Sequence, residues 1–260
     1  TGTLIGHRHV LTAGHALYAH AEELKDPVVV VTPGEDSPFK QTGVPVEMLF
    51  PYAHHAFFGN TIVGRFWTRD VRMPQTWTDP VKRAQAEQDR TLHLYDYGII
   101  ELSQSVGDLP WKSGRFGYWG STRWGEGTIM TPVANTAEVA GKRVYVSGYP
   151  DNPTNEDRYQ YVARHGVAQW EGSGLVAPDA DIGREVTKHD GRERLGYRIP
   201  TEEGHSGAPA WMRFNSDGKT IRKLLAVHGE GSHGGANASS GVLLTKKVLD
   251  DINSLKQQPK

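Results

Sequence analysis

Three short stretches of the sequence carry residues that could act together in acyl transfer. His15 stands in LTAGH, Asp96 opens the apolar run DYGII, and Ser206 stands in EGHSGAP. A serine hydroxyl is a poor nucleophile at neutral pH, so it needs a general base, which in turn is usually oriented by a carboxylate. His15 and Asp96 are therefore candidate partners of a nucleophilic Ser206, provided that the fold brings the three together.

Two other interpretations of Ser206 remain open at this point. The serine can belong to an ordinary glycine turn, because a single Gly-x-Ser-Gly pattern has no catalytic meaning by itself. It can also be the elbow nucleophile of an α/β-hydrolase esterase, in which the serine lies between a strand and a helix. Ala208 and Pro209 argue against the elbow, because proline does not propagate a helix and the residues from 207 to 260 leave little room for further elements.

Short apolar runs separated by turn residues dominate the chain and predict the elements that hold these groups. Runs that are rich in β-branched residues and bounded by Gly, Pro, Asn and Asp are typical of strands in a sandwich or barrel. The predicted strands are residues 3–5, 9–12, 27–32, 97–102, 143–148, 223–228 and 241–244. Helical periodicity is found twice, at residues 79–90 and at residues 245–255 near the C-terminus. The predicted fold class is therefore mainly β with a C-terminal helix.

The composition argues against several classes of partner. Lys and Arg number 29 and Asp and Glu number 30, so the formal net charge of -1 offers no attraction to nucleic acid or to an anionic membrane. No apolar run is long enough to span a bilayer. The chain contains no cysteine, which excludes disulfides, thiolate metal sites and cysteine nucleophiles. The sequence predicts no oligomeric state.

The histidines do not form a convincing metal site. His7 and His9 share one predicted strand and His54 and His55 are adjacent, but no converging carboxylates accompany either pair. A solvated-surface interpretation is favoured, and the sequence predicts neither a metal nor another cofactor. The first residues show no charged and apolar leader, so no signal peptide is expected within this chain.

The three motifs also resemble those of a known family. TAGH, DYGIIEL and GHSGAP, in that order, are similar to the signatures of the chymotrypsin-like serine peptidases. YDYGIIEL, VSGYPDNP and LLAVHGEG resemble segments of one branch, the V8-like glutamyl endopeptidases. The resemblance implies that His15 is the general base, that Asp96 holds the imidazole in place and that Ser206 attacks the scissile carbonyl.

The same resemblance implies the domain organisation. Two antiparallel β-barrels are expected, with a C-terminal helix after the second. Residues 1–118 should form the first barrel, which carries the histidine and the aspartate and has a long insertion at residues 51–94. Residues 119–260 should form the second barrel, which carries the serine and the specificity pocket. Substrate would lie across the junction of the barrels.

The activity implied is that of a secreted serine endopeptidase whose substrates are proteins or peptides. Backbone N–H groups of Gly204 and Ser206 should form the oxyanion hole, and glycine suits a loop that turns its N–H groups toward one point. In the resembling family, a threonine and a histidine at the positions of Thr201 and His228 hydrogen-bond the glutamate side chain of the substrate. Cleavage after glutamate, or after aspartate, is the expected specificity.

This chain departs from the family pattern at three places. Glu202 and Glu203 form an acidic rim where small residues are common, and an earlier strand of the family has no counterpart before Thr1. His205 replaces an aspartate that pairs with a freed amino terminus in most chymotrypsin-like enzymes, so the oxyanion loop is expected to be ordered without that ion pair. A peptidase of other specificity and a catalytically inactive peptidase-fold binding protein remain the alternatives.

Overall fold

The computed structural model describes residues 1–19, 28–31, 45–48, 64–108, 110–111, 114–115, 117–121, 127–148, 170–182, 186–231 and 237–258. Their secondary structure is mainly β, and this confirms the predicted fold class. His54 and His55 lie outside the described residues.

A closed barrel of six strands forms the N-terminal part of the described chain. Its strands are β1 (Gly2–Leu4), β2 (His9–Thr12), β3 (Val28–Val31), β4 (Pro45–Met48), β5 (Gly64–Arg72) and β6 (Gly98–Leu102). They are hydrogen-bonded in the order β1-β2-β6-β5-β3-β4, and β1 closes the barrel by pairing Gly2 with Val46. The interior is filled by buried apolar side chains that include Leu4, Val10 and Ile100. Burying these side chains stabilises the barrel by roughly 1.5–3 kcal/mol each.

The segment 51–94 is more than an insertion, because β5 lies inside it. This strand pairs with β6 and with β3, so it is part of the barrel wall. Its sequence GRFWTRDVR has charged residues in the run, and this explains why it was not predicted as a strand. The described residues after β5 include two helices, α2 (Gln75–Thr78) and α3 (Pro80–Gln88).

A second sheet carries the C-terminal part of the described chain. Its strands are β9 (Gly127–Ile129), β10 (Arg143–Gly148), β11 (Trp170–Ala177), β12 (Lys188–His189), β13 (Arg192–Tyr197), β14 (Pro209–Ser216), β15 (Lys219–Glu230) and β16 (Ser239–Leu243). The order is β11-β10-β14-β15-β16-β13-β12, and an additional pairing of β11 with β13 closes the ring. The pairings are antiparallel except that β9 runs parallel to β15. A short ribbon of β7 (Pro110–Trp111) and β8 (Gly114–Arg115) lies between the two sheets in sequence.

The described helices are short, and two of them were predicted from the sequence. α3 begins after Asp79, whose carboxylate accepts hydrogen bonds from the N–H groups of Val81 and Lys82. The C-terminal helix α4 (Lys246–Gln257) begins after Thr245, whose hydroxyl accepts from the Val248 N–H. A third helix, α1 (Gly14–Ala19), follows β2 directly. None of the described helices has the length and apolarity needed to cross a membrane.

Side chains of both barrels and of α4 share one buried cluster. The members that precede the second barrel in sequence are Ile5, Leu11, Tyr97, Ile99 and Trp119. Those from the second barrel and the helix include Trp211, Leu224, Val227, Val242, Val248 and Ile252. Apolar burial therefore holds the two barrels against each other. The fold also excludes the α/β-hydrolase alternative, because strand β14 follows Ser206 where the elbow requires a helix.

Candidate active site

The structure brings the three predicted residues into one hydrogen-bonded chain. His15 Nε2 lies 2.9 Å from Ser206 Oγ, and His15 Nδ1 lies 2.8 Å from Asp96 Oδ2. The backbone N–H of His15 donates to Asp96 Oδ1 at 2.7 Å, so both carboxylate oxygens are bonded to the same residue. Asp96 is only 5% exposed, whereas the His15 side chain is 40% exposed. The imidazole therefore remains partly accessible to a reacting group.

Glycines permit the close packing around these side chains. A Cβ at Gly14 would lie 2.8 Å from Trp77 Nε1, and a Cβ at Gly229 would lie 2.8 Å from Asp96 Oδ2. Both distances are shorter than real Cβ contacts, so a larger residue would displace the neighbouring group. Gly14 begins the helix that carries His15, and Gly229 lies on β15 beside the carboxylate. Glycine at position 14 therefore leaves room for Trp77 beside the helix of His15, and glycine at position 229 leaves room for the Asp96 carboxylate.

Opposing influences act on the protonation of His15. Burial is the largest single influence and lowers the pKa of His15, but the hydrogen bond and the charge of Asp96 raise it, and the charge of Glu230 adds to this effect. The net result is a pKa above 6.5 for His15. An imidazole whose pKa lies somewhat above its ordinary value is suited to accept a proton near neutral pH.

The loop that carries Ser206 consists of two overlapping type II turns. The His205 N–H donates to the Glu202 carbonyl at 3.2 Å, and the Ala208 N–H donates to the His205 carbonyl at 2.8 Å. Each turn has a glycine at its third position, with φ of 89° at Gly204 and 85° at Gly207. A type II turn requires a positive φ at this position, which glycine adopts without steric cost. The spacing of the two glycines in EGHSGAP therefore determines the path of the loop.

The two turns leave alternate N–H groups available. The N–H groups of His205 and Ala208 close the turns, and the Gly207 N–H donates to the His228 carbonyl at 2.7 Å. Within the part of the chain that the structure describes, the N–H groups of Gly204 and Ser206 have no hydrogen-bond acceptor. These are the two groups predicted to form an oxyanion hole, and their role remains a prediction.

Residues at the start of the first barrel brace this loop, and the sequence did not predict them. The hydroxyl and the backbone nitrogen of Thr1 donate to the Gly204 carbonyl at 2.6 Å and 3.1 Å. Thr12 in turn donates to the Thr1 carbonyl at 2.6 Å. A Cβ at Gly207 would lie 2.1 Å from that carbonyl. The loop that carries Ser206 in the second barrel is thus held by contacts with the first barrel.

Thr201 and His228 are both nearly inaccessible and both have protein partners. His228 Nδ1 lies 2.5 Å from the Tyr197 hydroxyl. Thr201 Oγ1 lies 2.9 Å from Ser239 Oγ, and the Ser239 hydroxyl donates to the Ile199 carbonyl at 2.7 Å. Because a hydroxyl has only one proton, Thr201 is the donor in its contact with Ser239.

His205 is buried and points inward. It is 2% exposed, its Nδ1 accepts from the Glu202 N–H at 3.0 Å, and its ring meets that of His228 edge-on at a centroid distance of 6.3 Å. Burial lowers the pKa of His205 to about 4. The residue is therefore neutral at physiological pH, and it packs as a polar core side chain.

The chain is similar in sequence to a known peptidase. Comparison with protein-family models gives no match. A glutamyl endopeptidase of Bacillus licheniformis is 26% identical over 260 residues, which cover 98% of this chain and 59% of that protein. The chain therefore spans less than two thirds of the length of this relative.

Two solved structures are similar to the chain over almost its whole length. A Glu endopeptidase, solved in complex with MPD, matches with a TM-score of 0.57 at 20% identity and covers 99% of this chain and 85% of its own. The chain is a homologue of the glutamyl endopeptidase and has the chymotrypsin-like fold. A thermostable serine protease from an extremophilic microorganism matches with a TM-score of 0.52 at 13% identity and covers 99% of this chain and 90% of its own.

This chymotrypsin-like fold buries two neutral histidines, and we expect its free energy of unfolding to fall as the pH is lowered from 6.5 toward 4. Burial holds the pKa of His205 at about 4 and that of His228 well below 6.5. The unfolded chain therefore binds protons in this range that the folded chain does not, so stability decreases with pH. Denaturant unfolding at several pH values measures the slope.

The control for this prediction is His205→Gln. It should reduce the slope of the free energy of unfolding against pH, between pH 6.5 and pH 4, by up to the contribution of one bound proton. His15 acts in the opposite sense in a higher range. Because its folded pKa is raised, its stabilising contribution is complete below 6.5 and is lost as the pH rises through the folded value. A stability that does not change between pH 4 and 6.5 would contradict the expected effect of the buried histidines.

Proposed function

We propose that this chain is a serine endopeptidase with Ser206 as its nucleophile, His15 as its general base and Asp96 as the group that orients His15. The observation that carries the proposal is the 2.9 Å distance between His15 Nε2 and Ser206 Oγ, with Asp96 bonded to the other imidazole nitrogen. Because the carboxylate accepts from Nδ1–H, Nε2 is the unprotonated nitrogen that can accept the serine proton.

The reaction proceeds by two acyl transfers. Ser206 Oγ attacks the carbonyl carbon of the peptide bond while its proton passes to His15 Nε2. The C–N bond then breaks as His15 returns this proton to the leaving amine, and the acyl group stays on Ser206 as an ester. A water molecule next attacks the ester and gives a proton to His15. That proton returns to Ser206 as the carboxylic acid product leaves.

The available N–H groups of Gly204 and Ser206 are proposed to bind the oxyanion of each tetrahedral intermediate. Neither of these N–H groups has an acceptor in the described part of the chain. Donors that are already oriented before the reaction cost no reorganisation when charge develops on the carbonyl oxygen. The contacts of Thr1 with the Gly204 carbonyl hold the next peptide plane and keep the loop in this orientation.

Gly204→Ala is expected to lower kcat by about 10²–10³ with little change in KM. Alanine in the left-handed region costs roughly 1–2 kcal/mol, so the turn should relax to type I, in which the third residue has a negative φ. This change rotates the peptide between residues 203 and 204 and turns the Gly204 N–H away from Ser206. Steady-state kinetics on a peptide substrate measures the effect.

Gly218→Ala is the matched control for this variant. Gly218 also has a positive φ, of 72°, but it lies in the hairpin turn between β14 and β15, where a new Cβ would meet nothing within 4 Å. The strain of alanine at a positive φ should lower the free energy of unfolding of this variant as well, while its kcat should not change. Equal kcat in the two variants would argue against an oxyanion role for Gly204.

The proposed specificity is cleavage after glutamate, or after aspartate. Tyr197 is a neutral phenol, because burial raises its pKa, and it can donate to His228 Nδ1. The imidazole proton is then on Nε2, from which it can be donated to a substrate carboxylate. Such a hydrogen bond to a charged group contributes roughly 1.5–3 kcal/mol. The name of the 26% identical relative agrees with this specificity.

Thr201 contributes to the proposed pocket in a different way from His228. Its single proton is directed at Ser239, so in this conformation it offers a substrate only a hydroxyl acceptor. A rotation of the hydroxyl would be needed before Thr201 could donate to a carboxylate. Glu202 and Glu203 are exposed and do not belong to this buried wall. We assign the discrimination mainly to His228.

Labelling with a fluorophosphonate tests the enzymatic part of the proposal. The reagent should form one covalent adduct at Ser206, and its rate should rise with pH as His15 loses its proton. Peptide mapping identifies the residue, and Ser206→Ala serves as the blank. A folded protein that takes no label would instead be a peptidase-fold binding protein.

A peptide panel that varies only the residue before the cleaved bond tests the specificity. Glutamate should be cleaved faster than the uncharged, nearly isosteric glutamine, because only glutamate makes a charge-assisted bond with His228. Proteins or peptides outside the cell are the proposed substrates. Fastest cleavage after lysine, arginine or a large apolar residue would refute the glutamate preference and leave the peptidase assignment intact.

A further inference from the structure

One guanidinium of the second barrel contacts both chain neighbours of Asp96. Arg192, the first residue of β13, places its Cζ 4.3 Å from the centroid of the Tyr95 ring. Its Nε donates to the Tyr97 hydroxyl at 3.4 Å. Tyr95 and Tyr97 flank Asp96 in the sequence, so Arg192 holds the chain on either side of that residue.

The C-terminal helix anchors this guanidinium. The Tyr97 hydroxyl donates to Asp251 Oδ2 at 2.8 Å, and Arg192 Nη2 donates to the same oxygen. Arg192 Nη1 binds Asp190 Oδ2 at 2.7 Å, and Lys247 Nζ binds the second oxygen of Asp251 at 3.0 Å. The contact therefore joins the start of β6, the start of β13 and helix α4.

Two of the groups that bind Arg192, the Tyr97 phenol and the Asp251 carboxylate, keep fixed protonation states near neutral pH. Burial is the largest influence on the pKa of Tyr97 and raises it, so the phenol keeps its proton. Burial opposes ionisation of Asp251, but the hydrogen bonds from Tyr97 and Lys247 and the charge of Arg192 outweigh it and lower the pKa of Asp251. The side-chain groups that meet here are Tyr95, Tyr97, Asp190, Arg192, Lys247 and Asp251. A buried guanidinium with two carboxylate partners and a planar donor geometry holds its neighbours more rigidly than an exposed pair does.

The two barrels must be aligned to within a fraction of an ångström for the proposed reaction. Asp96 and His15 come from the first barrel and Ser206 from the second, and both oxygens of Asp96 are bonded to His15. None of these carboxylate bonds reaches the second barrel. The contact of Arg192 with Tyr95 and Tyr97 supplies such a link directly beside Asp96.

We infer that Arg192, anchored by Asp251, is a positioning residue that aligns Asp96 and His15 with Ser206 by holding Tyr95 and Tyr97. The expected change in kcat rests on the proposed function, whereas the expected change in the pKa of His15 rests on the geometry alone. Arg192 acts through Asp96 and His15 and does not touch the substrate.

Two variants and one control test this role. Arg192→Lys keeps the charge but loses the planar fork that reaches both the Tyr97 hydroxyl and the carboxylates. Tyr97→Phe removes only the hydroxyl and keeps the buried ring. Lys246→Gln removes an exposed i,i+4 ion pair on helix α4 and leaves the contacts of Arg192 and Tyr97 in place. The pKa of His15 is measured by NMR on histidine-labelled protein, and kcat and KM are measured on the best peptide.

In Arg192→Lys we expect a fall of roughly tenfold in kcat, because small displacements of reacting groups are costly, and little change in KM. The pKa of His15 should fall in the same variant, since a weaker bond to Asp96 stabilises the imidazolium less. Tyr97→Phe should lower kcat by about threefold or less and should lower the pKa of His15 by less than Arg192→Lys does. Lys246→Gln should leave kcat and this pKa unchanged.

An unchanged pKa of His15 in both Arg192→Lys and Tyr97→Phe would overturn the inference. So would a loss of activity that matches a loss of fluorophosphonate-reactive sites, because this pattern describes partial unfolding. Absence of labelling and cleavage in the unmodified protein would instead contradict the proposed function. The NMR measurement distinguishes the two failures, since it needs no enzymatic activity.

Discussion

Ser206→Ala is expected to lower kcat by about 10⁶ and to abolish labelling by a fluorophosphonate. The nucleophilic oxygen, 2.9 Å from His15 Nε2, is lost, and no other hydroxyl is bonded to that nitrogen within the described chain. A residual acceleration over uncatalysed hydrolysis should persist, because the N–H groups of Gly204 and Ser206 and the binding surface remain. Active-site titration and single-turnover kinetics at high enzyme concentration measure the residual rate.

A double variant separates a catalytic unit from a structural effect. Ser206→Ala combined with His15→Ala should be no slower than Ser206→Ala alone, because the base has no function without the nucleophile. Ser254→Ala, an exposed substitution on α4, is the control for serine removal and should keep full activity. Additive losses in the double variant would show that His15 and Ser206 act independently.

Asp96→Asn is expected to lower kcat by about 10⁴ near neutral pH while leaving the fold intact. The backbone N–H of His15 must still find an acceptor. The amide oxygen of the asparagine therefore takes the place of Asp96 Oδ1, which lies 2.7 Å from the backbone nitrogen of His15. The amide NH₂ then faces His15 Nδ1 and forces that nitrogen to be unprotonated. The imidazole proton is transferred to Nε2, which can no longer accept a proton from Ser206.

The same substitution removes the hydrogen bond and the charge by which Asp96 raises the pKa of His15, so this pKa should fall as kcat falls. Asp108→Asn is a matched control, because Asp108 also binds a histidine, His7, at 2.7 Å, but on an exposed part of the surface. It should leave kcat unchanged. A loss smaller than tenfold in Asp96→Asn would refute the orienting role proposed for Asp96.

Local sequence patterns predicted the elements whose stabilising contacts are also local. The C-terminal helix was expected at residues 245–255 and spans Lys246–Gln257, because Thr245 caps it and its apolar residues recur at helical spacing. β2 and β6 were predicted nearly to the residue, since each has buried, mainly apolar residues at its centre. β2 leads directly to the segment that carries His15, and β6 directly follows the segment that carries Asp96.

Strands with polar residues were missed, for a reason that lies outside the strand. β13 has the sequence RERLGY, yet all six of its residues are buried. Arg192 and Arg194 are accommodated there because carboxylates from distant parts of the chain, Asp251 and Glu230, bind them. β5 was missed on the same grounds. A pattern that reads only hydrophobicity cannot anticipate partners that arrive through the fold.

The sequence alone determined which residues are proposed to react and the local path of the loop that carries Ser206. Residue types in family order selected His15, Asp96 and Ser206, and the spacing of Gly204 and Gly207 requires two successive turns with a positive φ. Only the tertiary structure decided the distances across 81 and 191 residues of chain that the proposed roles of base and nucleophile require. It also decided the direction of the Thr201 proton and the hydrogen bonds between the Ser206 loop and Thr1. The contacts of Arg192 with Tyr95 and Tyr97 likewise arise only in the folded chain. These features depend on groups far apart in the chain, whose relative positions are set by barrel closure and by burial between the barrels, and neither is encoded in any one stretch of sequence.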